Sequence, residues 1–376
     1  MGSAAGGAPG GGGGGAGAWS ELLERCEARA RADAERLRAS RGRGRGRGGG
    51  GGEDGDRGGD RGWGAPAAVP RVAASELSVV EMRTQYVDRG RPVIVTGLGD
   101  ALTAGCADPW VLLRDRFGHK TVAVYQQSEA SARGNTLGEP HLMQLDSFLD
   151  LLAAGDAQGM YLYDTPLASK LPELLEHWRV PRYFSHCFLQ KTRLPHAYLR
   201  SWPTAFVGAR GTTSPVHVDR WHSHFWMVQV AGRKRWTIWP ESDMPLLRPS
   251  WARGTLDPEF PAFGELLQCP DAGLTRPVEA VVEAGEVLFV PGGCPHRVEN
   301  LAESISFAGN FVDDSNLEAV LADQCALAHR YPEAGELHAA LDEVDWSDEW
   351  RGPDTPLPPD EMAVDYFQGF ANRAFS

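Results

Sequence analysis

Apolar positions along the chain follow three different rhythms. From about Phe206 onward, short apolar runs alternate with Gly and Pro signals: "AFVGARGTTSPVHVD", "HFWMVQVAGRKRWTIWP", "VEAVVEAGEVLFVPGG", "PHRVEN" and "SISFAGNFV". Short strands punctuated this evenly predict a sandwich or barrel. Upstream, helices and strands alternate. Ser75 precedes a helix predicted from about Glu76 to Arg89, and "RPVIVTGL" has the β-branched density of a buried strand. "PWVLLRDRFGHKTVAVYQQS" predicts a helix followed by an alternating strand. In "HLMQLDSFLDLLAA", Leu145, Phe148, Leu149 and Leu152 fall at helical spacing. "GMYLYDTPL" reads as a strand and "LPELLEHW" as a short helix. After Asn316 the helical pattern returns in "NLEAVLADQCALAHRY" and "AGELHAALDEV". The expected class is mainly β with flanking helices.

The first 66 residues follow neither rhythm. Residues 1–18 are nearly all Gly, Ala and Pro, which bury too little surface to order themselves. Trp19 to Ser40 reads as a charged helix with a thin apolar side of Leu22, Leu23, Cys26, Ala30 and Leu37. Such a helix is marginal alone or docks on a partner. Arg41 to Gly64 is Arg–Gly rich. It reads as a spacer because Asp and Glu interrupt the cations, with weak RNA contact as the other reading. The expected organisation is a disordered tail over 1–66 with one helix at 19–40, and a domain over 67–315. That domain has α/β elements at 67–200 and a β core at 201–315, and a helical extension follows over 316–376.

Charge sharpens this division. The 376 residues carry a formal charge of −13, yet residues 1–66 hold 11 Arg against 9 acidic groups. The remainder sets 26 basic against 41 acidic groups, a net −15. An acidic body argues against broad nucleic-acid binding. Six scattered cysteines without a C-x-x-C pair favour reduced thiols over a disulfide framework. No stretch approaches the ~20 apolar residues of a membrane-spanning helix. The N-terminus lacks a signal-peptide pattern, and Gly6 occupies the position where myristoylation needs Ser or Thr. A cytoplasmic or nuclear protein is expected.

The candidate chemistry lies in "SPVHVD" and "FVPGGCPHRVENL". Strand side chains alternate faces, so His217 and Asp219 can aim into one pocket while Val216 and Val218 pack on the other side. His296 can arrive from a second strand. Two imidazoles and one carboxylate on one face of an iron leave positions open for a co-substrate and oxygen. Lys234, in "AGRKRW", shares strand parity with Trp236 and Ile238. It is either one ammonium among apolar interior groups, costly unless an anion sits opposite, or one of three exposed hairpin cations.

These pieces, in order with "RPVIVTGL", "YLYDTPL", "VPRYF", "AGRKRWTIWP" and "ISFAGNFV", resemble the JmjC-domain oxygenases from about Val69 to Asp314. That family is cupin-fold and uses iron(II) and 2-oxoglutarate. The likeness is to the small hydroxylase branch, which includes the asparaginyl hydroxylase of hypoxia-inducible factor and several lysyl hydroxylases. It implies a double-stranded β-helix (jelly-roll or cupin) barrel. His217, Asp219 and His296 would be the iron ligands, and Lys234 would hold the distal carboxylate of 2-oxoglutarate. Ser214 matches a Thr or Ser assisting the co-substrate. Tyr161 matches a tyrosine reaching its distal carboxylate, with Tyr163 a rival. Asn310 shares parity with Ser306 and Ala308 on the last strand, so all three could face the iron.

Departures stand beside the likeness. Met227 replaces an Asn of some relatives, Ala308 replaces a Thr, and "GGCPH" replaces an aromatic-rich lead-in to the distal histidine. His222 and His224 follow the first ligand pair and read as loop or core histidines rather than substrate contacts or competing ligands. Cys294 reads as a small turn residue, with oxidation beside a metal as the alternative. The implied activity is hydroxylation of a protein side chain, or demethylation of a methylated Lys or Arg, consuming O2 and releasing succinate and CO2. The rival readings are an inert cupin scaffold binding through its Arg–Gly tail, and a zinc or manganese isomerase-type cupin. A protein or peptide partner is expected, and the C-terminal helices offer a surface for a homodimer.

Overall fold

A computed structural model describes residues 15–42, 66–127, 139–192, 202–251, 256–344 and 352–365. The expectations for the Gly-rich start and for the Arg–Gly spacer beyond Gly42 lie outside the described residues. Two sheets face each other. The smaller has the order β1 (Ala67–Ala68), β12 (Val278–Glu283), β11 (Arg233–Ile238), β14 (His296–Asn300), β9 (Thr213–His217).

The larger begins β2 (Arg71–Ala73), β3 (Val93–Thr96), β13 (Val287–Val290), β10 (His224–Ala231), β15 (Ser304–Phe311). It continues through β8 (Thr204–Gly208), β6 (Met160–Pro166), β4 (Thr121–Gln126) and β5 (Pro140–Gln144). A separate short pair joins β7 (Val180–Pro181) to β16 (Ala363–Val364). Neighbours are antiparallel except β1–β12 and β2–β3.

Each sheet contributes alternate residues to a shared interior. Trp236, Ile238, Ala280, Val282 and Val298 of the smaller sheet pack on Ile94, Met227, Leu288, Val290 and Ala308 of the larger. The two sheets therefore pack face to face over this shared apolar layer. Two facing antiparallel-rich sheets agree with the expected architecture, but its closure into a barrel is not found among the described residues. No strand hydrogen-bonds into both sheets, and the described residues form two antiparallel-rich layers rather than a closed cylinder.

The second core lies outside the larger sheet. Phe184 stacks on Trp226 and Phe289, and Trp178 stacks on Phe307 at 5.0 Å between ring centroids. Helix α2 (Pro109–Phe117) is capped by Asp108, whose carboxylate accepts from the Trp110 and Val111 amides. Helix α3 (Leu145–Ala154) buries the four apolar residues at helical spacing and stops at Gly155, φ +77°. The helix expected after Ser75 begins later. Ala74–Glu76 is a 3-10 turn, and Ser78 caps the helix through a reciprocal pair of bonds with Glu81. That capping box satisfies two amides at once, so it sets the start.

The helix near the N-terminus, α1 (Gly15–Gly42), docks on its own chain. It lies on the 3-10 turns Glu241–Leu247 and Pro270–Leu274, in the insert between β11 and β12. Ala30 and Ala34 are small enough for close approach and are buried with Trp19. Arg38 forks onto Asp271 with two 2.7 Å bonds, and Arg41 pairs with the fully buried Asp243 at 2.7 Å. Two helices, α4 (Leu317–Ala328) and α5 (Pro332–Asp342), pack together near the C-terminus. No described helix is long and apolar enough to cross a membrane.

Candidate metal centre

His217 ends β9 and His296 begins β14, and the two are Cα partners across adjacent strands. Their rings lie 4.2 Å apart between centroids. Asp219 follows on the same face, and one ligand atom from each of the three lies within 4.8 Å of the others. Among the described residues this is the one group of three or more potential metal-binding side chains. Val216 and Val218 face outward into a cluster with Trp239 and Leu247, so strand parity does sort this segment.

Hydrogen bonds orient both imidazoles. His217 Nδ1 meets the Pro215 carbonyl at 2.7 Å, and His296 Nδ1 meets the Cys294 carbonyl at 3.0 Å. A carbonyl can only accept, so each Nδ1 carries its hydrogen and each Nε2 keeps a lone pair for a metal. Burial pulls both histidines down to about 4, aided for His217 by the nearby His296. Burial pushes Asp219 up to about 6, opposed by His217 and by a hydrogen bond from Asn310. Neutral imidazoles beside a carboxylate that ionises near pH 6 form a donor set suited to a divalent ion of the first transition row. Phe225 and Trp236 wall the histidine pair, their rings 6.2 and 5.5 Å from that of His296.

Deeper between the sheets, Lys234 is buried at 2% exposure. Its Nζ donates to Ser306 Oγ at 2.7 Å and to Tyr161 Oη at 3.2 Å, and it lies over the Phe206 ring at 5.3 Å. No carboxylate among the described residues pairs with it, and desolvation alone pulls it down to about 7. A buried ammonium without a counter-ion is unfavourable unless an anion joins it. A dicarboxylate spanning from the triad to Lys234 fits that requirement. Thus Lys234 lies inside, not in an exposed hairpin, and Tyr161, rather than its rival Tyr163, accepts from the ammonium. Burial raises the Tyr161 hydroxyl far above its usual range, so it stays protonated.

Ser214 reaches the same face by an irregularity. Three residues separate it from His217, an odd number that would reverse its direction in a regular strand. The register shifts between His296 and Val298, so Ser214 pairs with Val298 and β9 carries one extra residue there. Asn310 is placed as a brace. Its Nδ2 donates to Ser223 Oγ at 3.0 Å while its amide also hydrogen-bonds Asp219.

From sequence Ser306 is read only as sharing the inward face of Asn310, and Asn300 and Gly208 are given no role. Ser306 holds Lys234. Asn300 lies beside Tyr161, and Gly208 leaves room for both, since a Cβ there would sit 2.5 Å from Asn300 Nδ2. His224 is a core group, receiving the Gly292 amide at 2.9 Å and contacting Ser315 at 2.8 Å. Cys294 is buried, and burial pushes its thiol up to about 12, which keeps it protonated.

Residues 79–316, more than half the chain, match the family model described as a cupin-like domain. The chain belongs to that family. This cupin-like chain is 30% identical to the 2-oxoglutarate and iron-dependent oxygenase JMJD4 of Gallus gallus over 175 residues, 46% of this chain and 41% of the relative. It is 25% identical to the lysine-specific demethylase JMJ21 of Arabidopsis thaliana over 285 residues, 70% of this chain and 27% of the relative. It is 27% identical to the bifunctional arginine demethylase and lysyl-hydroxylase psr-1 of Caenorhabditis briggsae over 277 residues, 67% and 64% of the two chains. The cupin-like chain thus matches less than half the length of the first two relatives.

Proposed function

We propose that this protein is an iron(II)- and 2-oxoglutarate-dependent oxygenase acting on a protein side chain, by hydroxylation or by demethylation of a methylated Lys or Arg. The carrying observation is the pairing of a converged His–Asp–His group with a buried ammonium that has no carboxylate partner among the described residues. In this reading the two sheets are the jelly-roll of a cupin. His217, Asp219 and His296 hold the metal, and Lys234, Tyr161 and Ser306 hold the distal carboxylate of the co-substrate. Iron with 2-oxoglutarate would supply the oxygen activation that oxidises a C–H bond, with succinate and CO2 released. Phe225 and Trp236 keep water from the histidine side of the centre, while Asn310 keeps Asp219 turned inward. Ser214 lies on the face where the co-substrate would pass.

The test is turnover. Purified protein with a library of peptides should release succinate only with iron(II) and 2-oxoglutarate, with a matching mass gain or methyl loss on a peptide. His217→Ala should abolish both. Tight binding of neither iron nor 2-oxoglutarate by the unaltered protein would leave a scaffold, not an enzyme.

A further inference from the structure

The loop leaving Asp219 is held in a conformation that side chains resist. Trp221 has φ +59°, ψ +30°, and His222 has φ +50°. Left-handed backbone at two successive non-glycine residues persists only where surrounding contacts impose it.

His222 receives those contacts from three distant segments. Its Nδ1 donates to Asp323 Oδ2 of α4 at 3.0 Å, and its Nε2 faces Glu241 Oε1 of the β11–β12 insert at 3.6 Å. Its carbonyl accepts from Asn316 Nδ2 at 2.9 Å. The third segment is the turn leading into His296. A Cβ on Gly292 would lie 2.0 Å from the His222 carbonyl oxygen. One on Gly293 would lie 3.0 Å from His222 Cδ2 and 2.9 Å from Glu241 Cδ. The glycines of "GGCPH" therefore let this turn close on the backbone of residue 222 and on the His222 and Glu241 side chains, and Gly293 also holds φ +74°. Flanking bonds complete the lock. Arg220 pairs with Asp257 at 3.3 Å, Ser223 Oγ donates to the Arg220 carbonyl at 2.8 Å, and Asn310 joins Ser223 to Asp219.

We propose that His222 is a positioning residue for the metal centre: a cationic clamp that locks the loop carrying Asp219 against the turn carrying His296, fixing the span of the ligand set before metal arrives. This rests on reading His217, Asp219 and His296 as a metal centre. The charges around the ring fit the role. The hydrogen bond to Asp323, then the Glu241 carboxylate 3.6 Å from the other ring nitrogen, push His222 up to about 10, so it is an imidazolium at neutral pH. Asp257 also faces it, and Arg29 of α1 acts on Glu241 from the far side.

The test uses the full chain with Mn(II) and Co(II), by anaerobic calorimetry and the Co(II) visible spectrum. His222→Asn keeps a residue that tolerates left-handed backbone and removes the clamp. It should melt cooperatively, bind Mn(II) about 10–100-fold more weakly, and shift the Co(II) bands. His222→Arg, which restores a cation between Asp323 and Glu241, should recover part of the affinity. Mn(II) affinity within about twofold of the unaltered protein, with unchanged Co(II) bands, overturns the proposal. Should His222→Asn fail to fold, the pair Asp323→Asn and Glu241→Gln removes the anchors instead. The same loss is expected, and normal affinity there overturns the clamp equally. An unaltered protein that binds no metal sinks the metal centre and the clamp together, a result distinct from loss in the variants alone.

Discussion

Met227 and Ala308 are Cα partners across β10 and β15, and both lie in the cluster between the sheets. At these two positions the chain departs from the polar pair that its resemblance leads one to expect, and the pairing makes them one change. A long thioether faces a methyl, conserving volume while removing two polar groups. Ala308→Thr should overpack against Met227 and cost about 1–3 kcal/mol in urea denaturation. Adding Met227→Asn should cost less than the two single changes summed, with a coupling of about 0.5–3 kcal/mol. Strict additivity would mean the two side chains do not share this space.

Metal should stabilise the folded chain. At about 100 times the dissociation constant, one bound ion adds ~2.7 kcal/mol, visible as a rise in melting temperature with Mn(II). A chelator should reverse the rise, and His296→Ala or Asp219→Ala should not show it. A similar rise in His296→Ala would place the ion elsewhere.

Lys234 should trade stability for binding. Lys234→Met keeps the length and apolar stem but removes the unpaired ammonium, so the protein should gain about 1–4 kcal/mol and lose 2-oxoglutarate affinity. The pH dependence has a definite sign. The buried ammonium titrates near 7, so below that pH it is charged and ready for a carboxylate. Above pH 7 each binding event must also take up a proton, and affinity should fall by about tenfold per pH unit at most. Calorimetry at pH 8–9 in buffers of different ionisation enthalpy should report that uptake. Affinity independent of pH over this window would remove Lys234 from the site.

The His222 ring is shifted in the opposite direction to Lys234, and its contribution to stability depends on pH. Its folded value lies above the unfolded one, so its contribution is complete below about 6.5 and is lost as pH rises through about 10. Melting temperatures of the unaltered protein and of His222→Gln should therefore differ most near pH 6 and converge above pH 10. A constant difference would mean the carboxylates do not stabilise the charge.

Arg41 and Asp243 form a pair whose carboxylate is fully buried. Removing the cation leaves that buried charge with only the Arg276 backbone amide and the Ser242 hydroxyl, so Arg41→Ala should cost about 3–5 kcal/mol in denaturant titration. Less than ~1 kcal/mol would mean that α1 is not seated in solution.

Period-two alternation made part of the site legible: it puts His217 and Asp219 on one face and Val216 and Val218 on the other, but it left Lys234 open between the interior and an exposed hairpin, and only the packing of the two sheets buries it. What stayed hidden depends on which strands meet. Ser214 faces inward through a register shift against β14, and no local pattern in "TTSPVHVD" encodes that shift. The role of His222 depends on Asp323 and Glu241, which come from distant segments. By contrast, the cap at Ser78 was open to view, since Ser78 and Glu81 have capping-box spacing and Ser75 does not. The helix ending near Ser40 could be read from its residue preferences, whereas its landing place depends on two acids in the β11–β12 insert.

The bond from Arg38 to Asp271 spans 233 positions, and its length has a consequence for synthesis. α1 leaves the ribosome early, but the turns that receive it are made only after most of both sheets. Until then its short alanine-lined side has nothing of its own chain to lie on, and long-range contacts of this kind form late in folding. Docking of α1 therefore waits until the β11–β12 insert has been made, 233 positions downstream of Arg38.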